Sequence, residues 1–202
     1  MNSLVQRCSG CTVDPVDAKR RSLLVCGTSV VGSAGLMAAA YPFVASLEPS
    51  ARARAEAQPV TTSIADLKPG QMQTLAWRGR PVWVLRRDDA MIRSLEHPNP
   101  ALADPDSLRS EQPPSCRNAT RSIRPDVFVA IGLCTHLGCS PVLRLGDHAL
   151  EAELGVSGGF VCPCHGSRFD LAGRVVRNVP APTNLQVPDY RFDAPDRLTV
   201  GA

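Results

Sequence analysis

The chain has 202 residues, enough for one or two domains, and its 22 Lys and Arg against 19 Asp and Glu leave a formal charge of only +3. The Arg residues are scattered rather than striped, which speaks against a nucleic-acid partner. Aromatics make up 4% of the chain, so a core must rest on Val, Leu, Ile and Ala, and 18 Pro point to turns and short elements rather than long helices.

Residues 22–47 carry no charged side chain. As a helix at ~1.5 Å per residue the run is about 39 Å long, against a bilayer hydrocarbon core of about 30 Å. It reads as a single transmembrane helix, with Pro42 marking its end or a kink near it. Gly27, Gly32, Ser33 and Gly35 would let another membrane helix pack closely. A buried core helix is the competing reading, but such helices are shorter and lack the Lys19-Arg20-Arg21 block that precedes this run. Together with Arg7, that block places residues 1–21 in the cytoplasm and the remainder of the chain across the membrane, although Arg52 and Arg54 beyond the run weaken the asymmetry. Arg20-Arg21-Ser22-Leu23-Leu24 looks like a twin-arginine export signal, the route that carries folded cargo; two ordinary inside-positive charges are the alternative. The run exceeds the ~7–15 residues of a removable signal, so an uncleaved anchor is expected despite Ala-x-Ala patterns at residues 53–57. Cys8 and Cys11 have a metal-like spacing without a second pair, and read as incidental thiols in a tail. Residues 48–58 hold no bulky apolar residue, and residues 48–59 read as a hinge or tether, with enough Ala to turn helical when neighbours support it.

From residue 60 the pattern becomes that of short strands. Residues 71–87 predict two strands around Arg78-Gly79-Arg80, a hairpin. Residues 97–114 have no period and predict a loop or short helix. Asp126–Gly132 predicts a strand leading into a first box, Gly159–Val161 a strand leading into a second, and residues 173–177 and 198–200 two more. The expected class is mainly β, a small antiparallel head spanning residues 60–202.

The boxes are Cys134-Thr135-His136-Leu137-Gly138-Cys139 and Cys162-Pro163-Cys164-His165-Gly166-Ser167. Each holds two Cys and one His on a tight loop, expected at the tips of two neighbouring hairpins that grip a metal centre from both sides, with Gly138 and Gly166 permitting the turns and Pro163 stiffening the second loop. The residues alone leave three possibilities. Two Cys and two His can hold zinc; the same four can hold a 2Fe–2S cluster with Cys on one iron and His on the other; or all four Cys can form disulfides. Zinc leaves Cys139 and Cys164 unexplained, and these two are read as standing at the same kind of position in both boxes. Cys26 and Cys116 stand outside the boxes. Cys116, His97 and His148 are read as a lone thiol and two solvated imidazoles.

The two boxes in register resemble those of the Rieske iron–sulfur proteins of cytochrome bc complexes. The likeness extends to the twin-arginine segment, the single span, the tether, Arg121-Ser-Ile-Arg-Pro125 and Val179-Pro-Ala-Pro182, and is weakest over residues 90–116. It implies one 2Fe–2S cluster held in a cluster-binding subdomain of about residues 130–182. Cys134 and Cys162 would bind the inner iron and His136 and His165 the outer one. Cys139 and Cys164 would form a disulfide, which suits an exported head. Ser167 would donate its hydroxyl toward a cluster sulfur, Leu137 would touch the partner's quinone pocket, and His165 would face the quinol. The family's role is quinol–cytochrome c reductase chemistry beside cytochrome b and a c-type cytochrome, in a dimeric complex of the bacterial inner membrane with the head in the periplasm. An exported Rieske subunit of another oxidoreductase, such as arsenite oxidase, is the alternative within the family. The chain departs from many relatives at Phe169, where they carry Tyr, and at Val179, where they carry Gly. Without the Tyr hydroxyl a lower cluster potential is expected.

Overall fold

The computed structural model describes residues 15–56, 58–156 and 158–201. Cys8, Cys11 and Arg7 lie outside these residues. The chain divides into two units, Met1–Ser50 and Ala51–Ala202.

The first unit is one helix, α1 (Pro15–Ala45), whose side chains are exposed from residue 17 onward, including Leu23, Leu24, Val30, Val31, Leu36 and Phe43. Exposed apolar residues on every side of a helix belong in lipid rather than water. The helix starts ahead of the apolar run because Asp17-Ala-Lys-Arg-Arg has nothing to break it, and Asp17 sits favourably in the first turn. Pro42 is accommodated inside the last turns, and the helix continues to Ala45.

The second unit opens with a short helix, α2 (Ala51–Glu56), in the Ala-rich segment expected to serve as the tether. Nine strands follow among the described residues: β1 (Val60–Ser63), β2 (Met72–Trp77), β3 (Arg80–Arg86), β4 (Val127–Ile131), β5 (Val142–Leu145), β6 (Gly158–Val161), β7 (Arg168–Asp170), β8 (Tyr190–Ala194) and β9 (Arg197–Val200). They form three antiparallel sheets in the orders β1-β9-β8, β2-β3-β4 and β5-β6-β7. The expected mainly β head is what the chain builds. The β2–β3 hairpin turns at Arg78 and Gly79, with φ of 51° and 68°, the left-handed pair that a two-residue hairpin needs.

The sheet β2-β3-β4 is the base. All five residues of β4 are buried, as are Val82, Trp83, Val84 and Leu85 of β3. Trp83 stacks on Phe160 of β6 at 5.1 Å, and Phe128 of β4 lies 6.3 Å from the same ring. Phe160 therefore joins the base to the sheet that carries the second box. Gly132 lets this happen just before the first box, since a Cβ there would fall 2.4 Å from Trp83.

Three differences from the expected elements have local causes. The segment 173–177 makes only isolated bridges, Phe169↔Val175 and Leu102↔Val176. Asp170 explains this, because Oδ1 accepts from Ala172 N and Arg174 N and bends the chain into a tight turn. Two helices were not anticipated: α3 (Asp89–Glu96), capped by Asp88, and α4 (His148–Leu154), capped by Asp147 and ended by left-handed Gly155. Lastly, the first box is not a hairpin tip. It carries the chain from β4 in the base to β5 in the other sheet, while the second box does turn between paired strands β6 and β7.

Candidate metal centre

Both boxes fold into one backbone pattern. In the first, Cys134 N donates to Cys139 O at 2.7 Å and Gly138 N to Cys134 O at 2.9 Å. In the second, Cys162 N donates to Ser167 O at 2.8 Å and Gly166 N to Cys162 O at 2.9 Å. Gly138 and Gly166 take φ of 80° and 69°, which other residues resist. Matched by these bonds, Cys134 corresponds to Cys162, Gly138 to Gly166 and Cys139 to Ser167. His136 then corresponds to Cys164, and Leu137 to His165. The reading that Cys139 and Cys164 hold like positions is corrected by this match. One residue separates Cys from His in the first loop and two in the second, so the side-chain chemistry is shifted by one place on the same backbone.

That shift lets the loops clasp. Cys139 and Cys164 are joined by a disulfide. Among the described residues the free thiols are Cys26, Cys116, Cys134 and Cys162, and only the last two belong to the boxes; both are buried. The sulfurs of Cys139, Cys162 and Cys164 lie within 4.8 Å of one another. Two of those three are spent in the disulfide, so that trio is not a ligand set. Burial raises the Cys134 thiol above its ordinary pKa, and its neighbour Cys162 pushes the same way, while hydrogen bonds from the His136 backbone N–H and, more weakly, from Ser167 act against them. The His136 and His165 rings stand 4.8 Å apart, edge to face, with His136 half-buried and His165 exposed. Leu137 is 72% exposed beside them. The site thus sorts its donors into two thiols inside and two imidazoles toward solvent. This division by ligand type fits a binuclear iron centre with an inner and an outer metal.

The surroundings hold the loops in place. Ser167 is fully buried, and its Oγ also accepts from Ala181 N at 3.1 Å, which pins the 179–182 segment beside the second box. Thr135 Oγ1 donates to Thr183 O at 2.7 Å and pins the same segment to the first. Val179 is half-buried and packs against the core here. Beneath the boxes, two arginines grip backbone carbonyls. Arg121, which is fully buried, donates to Ala172 O, Gly173 O and Leu185 O; Arg87, 2% exposed, donates to Thr120 O, Pro125 O and Leu171 O. Burial pulls the pKa of each down to about 10, with Asp170 opposing the shift. Sequence reasoning noted Arg121 only as part of a likeness and missed Arg87. An Arg pair that closes an apolar strand, as in Val-Trp-Val-Leu-Arg-Arg, is the signal the chain offers.

The other singled-out residues lie elsewhere. Cys26 is on the exposed surface of α1. Cys116 is buried in a 3-10 turn, 3.8 Å from the Tyr190 hydroxyl. His97 ends α3 and is exposed, and His148 is exposed on α4 with Glu151 3.4 Å away.

A β head with two clasped Cys–His loops of this design defines an iron–sulfur domain of the Rieske class. The family model described as "Rieske [2Fe-2S] domain" matches residues 58–191, and the chain belongs to that family. A second model, "Ubiquitinol-cytochrome C reductase Fe-S subunit TAT signal", matches residues 12–50. The chain is 50% identical over 188 residues to the ubiquinol-cytochrome c reductase iron-sulfur subunit of Allochromatium vinosum, covering 92% of this chain and 90% of the relative. It is 38% identical to the subunit of the same name from Blastochloris viridis, over 94% of this chain and 96% of that one. With the Rhodospirillum rubrum subunit it shares 37% identity over 92% of this chain and 93% of the relative.

Proposed function

We propose that this chain is the electron-carrying subunit of a membrane-bound quinol–cytochrome c oxidoreductase. Cys134, His136, Cys162 and His165 hold its 2Fe–2S cluster. The observation that carries the reading is the outward pair of imidazoles above two buried free thiols, in a chain half identical to such a subunit. When bound, the cluster accepts and releases one electron at a time, and neutral imidazole in place of two thiolates raises its potential. The protein supplies everything else. His165, exposed at the loop tip, accepts a hydrogen bond from a quinol hydroxyl through its outer ring nitrogen and takes the proton as the electron leaves. His136, half-buried, is held back from that contact. Leu137 offers an apolar contact to the rim of the quinol pocket. The disulfide keeps water from prying the loops apart, and Ser167 directs its hydroxyl toward the Cys134 sulfur.

The helix α1 anchors the chain in the bacterial inner membrane as a single span, with residues 1–21 cytoplasmic and the head periplasmic. The partners are a cytochrome b, which takes the second quinol electron, and a c-type cytochrome, which receives the first; the assembly is a dimer. Residues 48–59 form the tether that lets the head visit both. Prolines introduced into residues 48–58 should slow turnover without loss of the cluster; unchanged turnover would argue against a moving head.

One experiment tests the core of the reading. Electron paramagnetic resonance of reduced membranes should give a Rieske-type signal that changes line shape when a quinol-site inhibitor is added. A signal indifferent to every such inhibitor would turn the assignment toward another exported oxidoreductase, and co-purification with a molybdenum subunit would confirm that turn. One zinc and no acid-labile sulfide would end it.

A further inference from the structure

Between the two boxes the chain builds α4 and ties it to the second box. Glu153 stands in the last turn of that helix, where the backbone dipole disfavours a carboxylate, and no basic residue of α4 shares the turn. Its partner is Arg168, the first residue of β7. Arg168 Nη2 donates to Glu153 Oε1 at 2.7 Å, and Nε lies 2.5 Å from Oε2, off the line of its N–H bond. The third nitrogen, Nη1, reaches the carbonyl of Gly166 at 3.4 Å. Gly166 follows His165 directly. One guanidinium therefore links the helix, the strand and the loop tip.

The helix end of this link is anchored. Leu150 and Leu154 are buried against Leu102, Val156 and Val176. Asn99 Nδ2 donates to Leu154 O at 2.5 Å, and Asp147 accepts from Ala149 N and Leu150 N. Leu150 also presses on the backbone of Gly159, where an added Cβ would lie 3.2 Å from it. Both partners of the ion pair are about a third exposed, 35% and 34%. A pair of that kind adds little to folding stability. Its use lies in geometry, because the exposed side of the second box has few other restraints. Pro163, Cys164, His165 and Gly166 are all exposed.

We infer that Glu153 and Arg168 form a positioning latch that holds His165 in place through the carbonyl of Gly166. The inference rests on the reading of His165 as a cluster ligand. Its rival is a pure charge effect, and the two differ in what they do to the resonance signal. If only charge matters, removing the cation lowers the cluster potential, removing the anion raises it, and the line shape stays as it is. If the latch positions the loop, breaking either half lets His165 take more orientations and broadens the signal both times.

The test uses the full-length chain in its native membranes, titrated through the resonance signal of the reduced cluster. Glu153→Gln and Arg168→Gln should each broaden the signal and lower its peak height at constant spin count. Arg168→Lys, which keeps the charge and can still reach Glu153, should recover most of the loss. Glu153→Gln is isosteric and lies outside both boxes, so it decides the matter if Arg168→Gln fails to take up iron. A Glu153→Gln signal as narrow as the wild type's overturns the latch. Absence of a Rieske-type signal in the wild type overturns the cluster assignment instead.

Discussion

The two boxes share a backbone and differ in what they show to solvent. In the first loop the middle positions are His136, half-buried, and Leu137, exposed; in the second they are Cys164 and His165, both exposed. The closing position is Cys139 in the first and buried Ser167 in the second. One loop scaffold thus serves two tasks through a one-residue shift in its side chains. The first loop supplies a shielded imidazole and an apolar contact. The second supplies the reachable imidazole and a hydroxyl turned inward. The lesson is that loop equivalence in this domain is read from hydrogen bonds and not from residue type.

The largest effect comes from the metal-binding side chain that the two loops share, the Cys that opens each of them. Cys134→Ser and Cys162→Ser should each abolish the cluster, with iron and acid-labile sulfide falling to background. Equal loss from both would confirm that each box contributes one thiol. Retention of half the iron in either variant would mean that a single loop can hold a metal, and the comparison would collapse.

Next is the bond that ties unlike positions together. Cys139 and Cys164 close a segment of 25 residues, and the chain-entropy relation assigns such a loop about 3.5 kcal/mol. Cys139→Ala or Cys164→Ala should lower the stability of the head by roughly that amount. The measurement is a urea titration followed by the fluorescence of Trp77 and Trp83, both of which lie in the head. Because the bond clasps both loops, the two variants should agree; a large difference between them would show one Cys to have a second role.

Much of this arrangement was legible in the chain. The apolar run, the hairpin across Arg78-Gly79 and the strand into the first box all announce themselves locally, by an uncharged stretch long enough to span a bilayer, by a Gly turn between apolar strands and by a short continuous apolar run. The boxes carried their own chemistry. What escaped notice was of two kinds. The helices α3 and α4 do have signatures: Asp88 three residues before Met91, and Asp147 before Leu150 and Leu154 at helical spacing with Gly155 after. They are short and sit in segments that Pro and Asp make look irregular. The second kind has no local signature. Arg87 and Arg121 are buried because carbonyls from distant turns converge on them, and only the tertiary fold brings those carbonyls together. The shift between the boxes was hidden for the same reason, since residue identity suggested one alignment and the backbone adopts another.

Ser167 is the counterpart of Cys139, and its removal tests the inward half of the comparison. Ser167→Ala deprives the buried Ala181 N of its acceptor, a loss of about 1–3 kcal/mol. It also removes the hydroxyl proposed to point at the Cys134 sulfur. A lower melting temperature together with a lower cluster midpoint is expected. A lower melting temperature alone would leave Ser167 a structural pin for the 179–182 segment and nothing more.

The smallest effect belongs to Phe169, two residues beyond Ser167 and paired with Phe160 in the sheet that joins the second box to the base. The ring is fully buried. A hydroxyl added to it must find an acceptor or cost more than it gives. A ligand sulfur is one acceptor that a tyrosine there could meet, and donation to sulfur stabilises the reduced form, in which that sulfur carries more charge. One such hydrogen bond is worth about 1 kcal/mol net, which for a one-electron couple at 59 mV per tenfold is about 40 mV. Phe169→Tyr should therefore raise the midpoint by that order with little change in melting temperature. A raised midpoint in which Ser167→Ala and Phe169→Tyr combine additively would show that the two groups act on the cluster independently. If the midpoint stays put while stability falls, the hydroxyl has no sulfur within reach, and the inward chemistry of the second box rests on Ser167 without help from β7.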